Sequence, residues 1–533
     1  MDEQKHSWLP HLQEAVPVEA YGYKLDMYTI GLEGWRRGLT LKFHNLNIEK
    51  KLVTRYTLSY KGREQKFAIS RGDNVTKEAI ATCMNKDLTK EVLLEANVSV
   101  PLGRKFGKGA SDQEIIEYFQ TLGTSVVLKP TNAGGSKGVI TDIKDVETLK
   151  KALIQVRQKL NYKEVLIEQF VSGTEYRIFV IGDQVAGVIY RKSPNVIGDG
   201  KRTIKQLIEL KNKERLKNPY LHSFPIKMDK DLKNYIDQFG YRLTTVPKEG
   251  EEVILRARSN PSSGGDTVDA TDDLSLENKN TAIDAIKAIA GLYHGAVDMI
   301  VDKHTSVGVV IEVNSKPQIS SHLYPVIGKA RDIPAAIVDY YFPETKGHYV
   351  NGQKEMFYYD FKSILETLRN GYAKEVIMPP IPKNTLIAKS FKLSGQVQGI
   401  GFRKWVHKHA FNSRLNGFVK NLANGNVHIV VAGRKGEVEA FTTLLDQSPP
   451  QKAKIKEIKK EEWKKPVKFG FEVLVDENIH LNEIDKLQKE RDKAIRERNS
   501  FKREYNKLKQ SRIWRYTLPI RKLGDTLKGS QKK

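Results

Sequence analysis

Cysteine, long apolar runs and a leader peptide are scarce or absent in this 533-residue sequence. The single cysteine, Cys83, excludes an internal disulfide framework and favours a reducing compartment. No apolar run approaches the roughly 20 residues that a membrane-spanning helix needs. The first residues also lack the basic and then apolar pattern of a signal peptide. We therefore expect a cytoplasmic protein.

Motifs that read nucleic acid are absent as well. The sequence has no zinc-finger spacing, KH loop or RNP motif, although its net charge is +25 and its isoelectric point is about 9.6. Such an excess of positive charge could serve nucleic acid, an anionic membrane face or anionic substrates. Because no motif reads bases, we expect no nucleic-acid partner, and we expect most of the excess charge to lie on solvated surface.

The composition that remains is that of a multidomain globular protein, with 39% hydrophobic residues. Alternating apolar and polar residues over 1–75, including 28–30, predict a β-rich region with turns at 33–34 and 61–62. An α+β domain is expected over 76–345, and a stiff, proline-rich linker with one helix near 360–370 over 346–384. Within 76–345 the clearest predicted strands are 125–129, 165–168 and 309–313, and the predicted helices are 145–160 and 278–291.

The pattern of residues 385–476 predicts a compact βαββαβ unit with the ferredoxin-like plan. Residues 477–533 form a basic tail whose mixed charges and imperfect heptads over 480–510 indicate a helix or coiled coil. Its aromatic end could lie on the cytoplasmic face of a membrane or support self-association, and a solvated tail is an equal alternative. The strands predicted for the βαββαβ unit are 386–393, 416–421, 426–432 and 469–475, and its helices are 402–413 and 436–446.

A glycine-rich turn between the first strand and first helix of this unit favours anion binding. Its glycines allow backbone N–H groups to converge at a helix N-terminus without Cβ clashes. Arg403, in the first helical turn, can hold two phosphoryl oxygens with its planar guanidinium. The candidate binding positions are Gly395, Gln396, Val397, Gln398, Gly399 and Gly401.

This turn resembles the acylphosphatase signature, and the likeness covers about ninety residues. It continues through Gly417-Phe418-Val419-Lys420-Asn421-Leu422 and Asn424-Gly425-Asn426-Val427 to Pro449-Pro450. The resemblance implies that the loop and Arg403 bind an acyl phosphate, and that Asn421 orients the attacking water. Positioning and charge stabilisation would carry the phosphoryl transfer without a metal or a covalent intermediate.

Patterns within residues 76–345 favour a nucleotide site. A strand ending in Lys129 is followed by a loop over 132–138 that could lie over phosphates. This loop is not a P-loop, because the Gly-Lys-Ser/Thr ending is missing. The strand end at Glu168 and the nearby Glu175 offer acidic groups to an adenine amine and to ribose hydroxyls.

A candidate metal site lies further along the chain. Glu312 and Asn314, two residues apart on one strand, point to the same face. With Asp298 on the preceding strand, they offer three oxygen ligands suited to Mg²⁺.

The order of these features resembles the ATP-grasp fold, and within it the ligase domains of cyanophycin synthetase and bifunctional glutathione synthetase. The likeness covers roughly residues 80–345, with telling segments at 196–204, 255–267 and 312–317. It implies ATP and Mg²⁺, with Mn²⁺ as a possible substitute. The roles that it implies are phosphate binding by Lys86, Lys129, Gly134, Gly135, Ser136 and Gly138; adenine and ribose binding by Glu168, Gln169, Phe170, Val171 and Glu175; metal binding by Asp298, Glu312 and Asn314; stabilisation of the tetrahedral intermediate by Arg256; and substrate contacts by Asn260 and Arg191.

The combined interpretation is an ATP-dependent carboxylate–amine ligase, working through an acyl phosphate, fused to an acylphosphatase. Its partners would be small carboxylates, amines and acyl phosphates. Two alternatives stay open: a hydrolase whose ATP-grasp domain binds nucleotide without ligating, and an assembly factor for a cell-envelope polymer. The partner domains of the two ligase families are not visible, and Lys316 stands where they often have small or apolar residues. The substrates therefore cannot be carried over.

Overall fold

The computed structural model describes residues 7–48, 51–131, 138–257, 259–302, 305–350, 354–383 and 386–474, with a few single positions beyond 489. It divides into unit 1, formed by Met1–Asn384 with Lys465–Phe469, and unit 2, formed by Thr385–Lys464 with Gly470–Lys533. The predicted coiled-coil tail lies almost entirely outside the described residues. Within those residues, no helix is both long enough and apolar enough to cross a bilayer.

The elements are numbered along the whole chain. The strands are β1 (Thr40–Ile48), β2 (Lys51–Tyr60), β3 (Arg63–Ala68), β4 (Arg71–Gly72), β5 (Gly103–Phe106), β6 (Val126–Pro130), β7 (Ile140–Ile143), β8 (Val165–Gln169), β9 (Gly173–Ile181), β10 (Gln184–Lys192), β11 (Asn195–Ile197), β12 (Glu252–Ile254), β13 (Asp266–Asp269), β14 (His294–Asp302), β15 (Gly308–Asn314), β16 (Phe357–Tyr358), β17 (Glu375–Ile377), β18 (Leu386–Gln396), β19 (Asn416–Asn421), β20 (Val427–Arg434), β21 (Lys454–Glu462), β22 (Val467–Lys468) and β23 (Phe471–Val473). The helices are α1 (Leu25–Arg36), α2 (Lys77–Met84), α3 (Lys86–Glu95), α4 (Asp112–Leu122), α5 (Val146–Leu153), α6 (Ile204–Lys217), α7 (Lys230–Asp237), α8 (Leu276–Ala288), α9 (Ser320–Leu323), α10 (Ile333–Tyr341), α11 (Phe361–Arg369), α12 (Phe402–Asn412) and α13 (Lys435–Gln447), with a π-helical segment Ile154–Lys159 continuing α5.

The N-terminal region of unit 1 corrects part of the sequence prediction. Residues 28–30 and 33–34, predicted as a strand and a turn, both lie inside α1. All twelve residues of α1 are buried, and its polar residues recur every three or four positions, at Asp26, Thr29, Glu33 and Arg36. The strand prediction followed the short alternation at 28–30 and missed this helical period. The turn at 61–62 is confirmed, because it joins β2 to β3 with both residues at positive φ.

The segment 346–384, expected to be a linker, contributes to the N-terminal sheet. The helix predicted near 360–370 is confirmed as α11. The strand β17 pairs antiparallel with β1, which gives the order β17-β1-β2-β3-β4. Pairing with β17 satisfies the open edge of β1, which would otherwise expose a row of unpaired backbone groups.

Two further antiparallel sheets, in the orders β5-β8-β6-β7 and β13-β10-β9-β14-β15, form the middle of unit 1. The strands predicted at 125–129, 165–168 and 309–313 are confirmed as β6, β8 and β15. The predicted helices are confirmed as α5 with its π-helical continuation and as α8. Each sheet packs its apolar side chains into a separate core. Polar side chains on the same strands form the candidate sites described below.

Unit 2 has the predicted ferredoxin-like order, with one strand reassigned. Its sheet runs β21-β18-β20-β19-β23, with a core that α12 and α13 help to form. The fourth strand of the plan is β21, whereas the predicted 469–475 segment contains the shorter β23, which lies parallel to β19. The sequence of β21 is dominated by exposed lysine and glutamate, which suits a charged edge strand but conceals the alternation that predicts a strand.

Candidate active sites

A cleft in unit 1 brings together residues from four separate elements. Lys86 of α3, Lys129 of β6, Glu168 of β8 and Glu312 of β15 all line it. In the β6–β8 pairing Val127 lies opposite Glu168, so Lys129, two residues along the strand, shares a face with Glu168. The sheet register therefore accounts for the contact between this lysine and this glutamate.

Glu168 is the most heavily paired group of the cleft. Its carboxylate forms an ion pair with Lys129 and accepts a hydrogen bond from Lys90 Nζ at 3.2 Å. Glu168 and Lys129 are each less than one tenth exposed. Burial of two ammonium groups against one carboxylate leaves a net positive charge, which suits a phosphate-binding wall. Lys90 was not among the residues selected from the sequence.

Lys86 adds to this positive charge at the start of α3. The preceding Asn85 caps the helix, since its side-chain oxygen accepts from the N–H groups of Asp87 and Leu88 at 3.1 and 3.3 Å. A helix N-terminus carries a partial positive charge, so a lysine placed there creates a locally cationic end. Lys86 and the N-terminus of α3 would both attract an anion bound in the cleft.

The predicted adenine-binding residues follow β8 directly. The Gln169 N–H donates to the Leu102 carbonyl at 2.7 Å, and the Phe170 N–H donates to the Ser125 carbonyl at 2.8 Å. These bonds hold the segment leading to Val171 in a defined path. Of the predicted phosphate loop, Gly134, Gly135 and Ser136 lie outside the described residues. Gly138, at φ +75°, is described, and a Cβ there would press on Pro130.

The three predicted metal ligands meet at neighbouring strands. Asp298 of β14 lies directly opposite Glu312 of β15, and Asn314 follows two residues later on the same face. The Asn314 Nδ2 donates to Asp298 Oδ2 at 3.2 Å. The structure therefore brings the predicted donor set together.

An arginine that the sequence reasoning missed holds the centre of this cluster. Arg177 of β9 lies opposite Asp298 and donates from Nε and Nη2 to its two carboxylate oxygens, at 2.8 and 2.7 Å. Burial alone would raise the pKa of Asp298, but the Arg177 guanidinium outweighs it and holds that pKa below its usual value. The sequence signal that could have identified Arg177 is its position two residues after Glu175 on one strand, which places both side chains on the same face.

Glu175 connects this cluster to two other predicted residues. Its partial burial, and next the charge of Asp298, raise the pKa of the Glu175 carboxyl. Arg191 Nη1 donates to Glu175 at 3.2 Å and to Asn260 Oδ1 at 3.4 Å. Arg191, Glu175 and Asn260 thus form one polar chain beside the carboxylates.

Arg256 lies in a different polar environment. Its Nη2 donates to the Lys227 carbonyl and to Asp229 Oδ1, both at 2.7 Å, and it lines a cavity with Tyr235. Its Nε is buried without a hydrogen-bond partner among the described residues. No hydrogen bond within the described ranges joins Arg256 to the three predicted metal ligands.

The donor set at Asp298, Glu312 and Asn314 fits a divalent cation by its chemistry. Two carboxylates and an amide oxygen are hard ligands of the kind that Mg²⁺ takes. The Asn314 amide bonds to Asp298 through its nitrogen, so its oxygen is not used in that bond. A cation would also relieve the repulsion that raises the pKa of Glu175.

In unit 2, the glycine-rich turn leads from β18 into α12. Gly395, Gly399 and Gly401 all have φ between +74° and +116°, a region that favours glycine. A Cβ on Gly395 would collide with the Lys454 carbonyl, whereas Gly399 faces open space. The backbone N–H groups of residues 398–402 have no acceptor among the described residues, as expected for an anion cradle.

Sheet register brings Asn421 to the same edge as this turn. Val427 at the start of β20 lies opposite Leu393 of β18 on one side and opposite Asn421 of β19 on the other. The Gln398 side chain donates to the Leu422 and Asn426 carbonyls, at 3.0 and 2.8 Å. The turn is therefore held against the β19–β20 hairpin, and Asn421 is nearly buried at its base.

The remaining residues of the turn support this arrangement. The Val397 side chain is fully buried in the core of the unit, which anchors the turn between Gln396 and Gln398. Arg403 lies in the first turn of α12, and its Nη1 donates to the Leu474 carbonyl at 3.4 Å. A helix N-terminus, a row of N–H groups and a guanidinium thus occur within one short segment.

Each unit contains a segment that resembles a known protein family. Residues 89–243 match the family model "D-ala D-ala ligase C-terminus", and residues 389–473 match the model "Acylphosphatase".

Curated relatives match mainly unit 1. The chain is 31% identical over 333 residues to the glutathione biosynthesis bifunctional protein GshAB of Clostridium perfringens, covering 60% of this chain and 41% of that protein. It is 30% identical over 280 residues to cyanophycin synthetase of Crocosphaera subtropica, covering 50% and 31%. A solved bifunctional glutathione synthetase from Pasteurella multocida is 27% identical, with 54% and 40% covered and a TM-score of 0.45. The chain spans less than half the length of these relatives.

Proposed function

We propose that unit 1 is an ATP-dependent carboxylate–amine ligase and that unit 2 hydrolyses acyl phosphates. In the ligase, a carboxylate would take the γ-phosphoryl group of ATP to give an acyl phosphate and ADP. Attack by an amine would then form an amide, release phosphate and lose a proton. In unit 2, water would convert an acyl phosphate into a carboxylate and phosphate.

The observation that carries the ligase proposal is the shared cleft of Lys86, Lys129, Glu168 and Glu312. Lys86 and Lys129 would neutralise phosphate charge, and the segment from Glu168 to Val171 would contact adenine. Glu175 would bind the ribose. Support comes from the match of residues 89–243 to the D-ala D-ala ligase family model and from the similarity of the chain to curated ligases.

Asp298, Glu312 and Asn314 would hold Mg²⁺, or Mn²⁺ in its place. When bound, the ion would neutralise charge on the phosphates of ATP. Arg177 would keep the Asp298 carboxylate ionised and oriented, which is a positioning role. Arg191 and Asn260 would contact the substrate side of the site. Arg256 would stabilise charge on the tetrahedral intermediate.

For unit 2, the row of N–H groups at residues 398–402 together with Arg403 would hold the phosphoryl oxygens. The Asn421 side chain would orient water for attack on phosphorus, and the carboxylate would leave. Because the N–H groups and Arg403 would hold the phosphoryl group and Asn421 would hold the water, no covalent intermediate is needed. The match of residues 389–473 to acylphosphatases supports this assignment.

The test measures two reactions on the purified full-length chain. ADP release with Mg-ATP would be screened across amino acids, peptides and sugar acids, and benzoyl phosphate hydrolysis would be followed in parallel. We expect ADP release that needs both an acid and an amine, and hydrolysis that needs no ATP. Tight Mg-ATP binding without ADP release from any pair would contradict the ligase proposal and favour a nucleotide-binding domain that does not ligate.

A further inference from the structure

One face of the N-terminal sheet of unit 1 collects cationic and polar side chains. His44 lies opposite Arg55 in the β1–β2 pairing, and Thr57 lies opposite Lys66 in the β2–β3 pairing. Directly opposite residues share a face, and Arg55 and Thr57 are two apart on β2, so all four project to one side. The aromatic residues between them, including Tyr56, are buried on the other side.

This face forms a wall of a cavity that Arg71 of β4 and Ile80 of α2 also line. Among the described lining residues Asp73 is the only acid, and it accepts hydrogen bonds from the Gln65 side chain and from a backbone N–H. Among the described residues, Arg55 and Arg71 form no ion pair with an acid, whereas the exposed Lys66 pairs with Glu64 at 3.9 Å. A surplus of like charge in a partly buried cavity attracts anions, because the surrounding protein screens less than water does.

The two arginines of the cavity bind neutral oxygens. Arg55 Nη1 donates to the Thr54 carbonyl at 3.1 Å, and Arg71 Nη1 donates to Ser315 Oγ at 3.4 Å. Burial, and next the charge of Arg55, lower the pKa of Arg71, which indicates that these guanidinium groups lie close together. Each guanidinium has five N–H donors, so most of them remain for a ligand.

Two polar atoms on this face are also buried without a hydrogen-bond partner among the described residues. They are His44 Nδ1 and Thr57 Oγ1. Burial, and next the charge of Lys42, lower the pKa of His44, so the imidazole is neutral at pH 7. Buried polar groups in folded proteins are nearly always paired. His44 lines the cavity and an anion there could use its imidazole, whereas Thr57 is fully buried and does not line it.

The cavity adjoins the candidate ligase site. The contact from Arg71 to Ser315 reaches the residue directly after Asn314, a proposed metal ligand. On α2, Ile80 lines the cationic cavity, and Cys83, three residues later, lines the nucleotide cleft. Residues three apart on a helix are roughly 5–6 Å apart, so the two cavities are neighbours.

We propose that the cavity of Arg55, Lys66 and Arg71 binds a second anionic group of the acid that the ligase activates. The acid substrate would then be a dicarboxylate or a phosphorylated acid rather than a simple monocarboxylate. One of its carboxylates would reach the triphosphate end of the cleft while the other anionic group rests on the cationic face. This inference depends on the proposed ligase function, because it specifies the substrate of the same site.

The test is a calorimetric titration of the full-length chain at constant ionic strength with three probes. Tricarballylate and 3-phosphoglycerate carry additional anionic groups, and acetate is the monocarboxylate reference. We expect both polyanions to bind at least tenfold more tightly than acetate. The Arg55→Gln, Lys66→Gln double variant should lose this preference.

Arg63→Gln is the matched control, because Arg63 lies on β3 but is exposed and pairs with Glu344. It should bind all three probes as the unmodified chain does. Equal affinity for acetate and for both polyanions, or an unchanged preference in the double variant with native thermal unfolding, would overturn the inference. ATP would be titrated in parallel. Absence of ATP binding would contradict the ligase proposal, whereas ATP binding without a preference for polyanions would contradict only the proposal about the acid substrate.

Discussion

Units 1 and 2 both present a region suited to a phosphoryl group, but they build it from different atoms. In unit 2, the groups come from nine consecutive residues, 395–403, and many of them are backbone N–H groups held by glycine conformations. In unit 1, they are mostly charged side chains from elements spread between Lys86 and Asn314, and several are paired, as Lys129 is with Glu168 and Arg177 with Asp298. A backbone site depends on local conformation, whereas a side-chain site depends on the balance of buried charges.

The prediction with the largest expected effect concerns Arg403, the charged side chain of the unit 2 turn. Arg403→Ala should lower benzoyl phosphate hydrolysis by about 10³-fold, because loss of one preorganised donor to transition-state charge costs about 10²–10³ and a guanidinium supplies two donors. ADP release by unit 1 should stay unchanged. Both rates would be measured on the same full-length preparation.

The matched control for that variant is Lys404→Ala, which removes the neighbouring, exposed cation of α12. Its hydrolysis rate should remain within about twofold of the unmodified rate, as surface charges contribute little. Equal losses in the two variants would mean that general positive charge, rather than the guanidinium fork, supports hydrolysis. The distinction drawn between the two sites would then fail.

The reciprocal test acts on the charge balance of unit 1. Asp298→Asn should weaken Mg-ATP binding by about 10²-fold, since it removes one hard anionic ligand and leaves Arg177 with a neutral partner. Hydrolysis of benzoyl phosphate should not change. Asp183→Asn, at an exposed surface ion pair with Lys287, is the control. Calorimetry showing undiminished Mg-ATP binding by Asp298→Asn would remove Asp298 from the proposed metal site.

The same difference explains how much of each site the sequence could predict. The unit 2 turn is contiguous, so its glycines and Arg403 could be identified before any fold was known, and the resemblance to acylphosphatases added Asn421. In unit 1, the spacing of Glu312 and Asn314 predicted a shared face, but the pairing of Arg177 with Asp298 follows from the β9–β14 register. A register between distant strands leaves no local pattern in the sequence. The cationic face at Arg55 was not predicted from the sequence, because it also depends on the register between strands.

Errors in predicting the fold also have identifiable causes. The strand predicted at 28–30 rested on three alternating residues, although the polar residues of α1 recur at helical spacing, at Asp26, Thr29, Glu33 and Arg36. The strand β21 is an exposed, charged edge that lacks alternation. Long elements with one buried face, such as α8 and β15, were placed correctly because burial and period agree there.

A smaller effect should separate two glycines of the unit 2 turn. Gly395→Ala should destabilise unit 2 by several kcal/mol, because the added Cβ would collide with the Lys454 carbonyl at a φ of +116°. Gly399→Ala should cost only about 1–2 kcal/mol, the strain of a left-handed conformation in open space. Thermal unfolding of the full-length chain would measure both. Equal losses of stability in the two variants would show that β21 shifts to make room for the added Cβ. The turn would then be less rigid than the β18–β21 pairing implies.

A further effect concerns acid stability, because unit 1 contains buried ionisable groups whose pKa values differ between the folded and unfolded states. Burial lowers the pKa of His11 to about 3, of His294 to about 4 and of His322 to about 3. These histidines stay neutral when folded but gain protons when unfolded below pH 6.5, so folding stability should fall as the pH drops from 6.5 towards 4. Each contributes about 1.4 kcal/mol per pH unit. Asp26, whose pKa burial raises to about 6, works in the opposite direction over pH 6 to 3.8 and offsets one of them.

Calorimetry at pH 7.5 and 5.0 would measure this effect on the transition that ATP shifts, which assigns it to unit 1. His322 gives the sharpest variant, because neither ring nitrogen has a hydrogen-bond partner among the described residues. His322→Leu should therefore lose no hydrogen bond and should reduce the net acid sensitivity by nearly half, because Asp26 offsets one of the three histidines. His348→Leu, at an exposed position, should not change it. An ATP-sensitive transition that is equally stable at both pH values would contradict the neutral, buried state of these histidines. Stability in unit 1 would then not depend on its buried ionisable groups, and the contrast with the backbone-built unit 2 would be limited to the active sites.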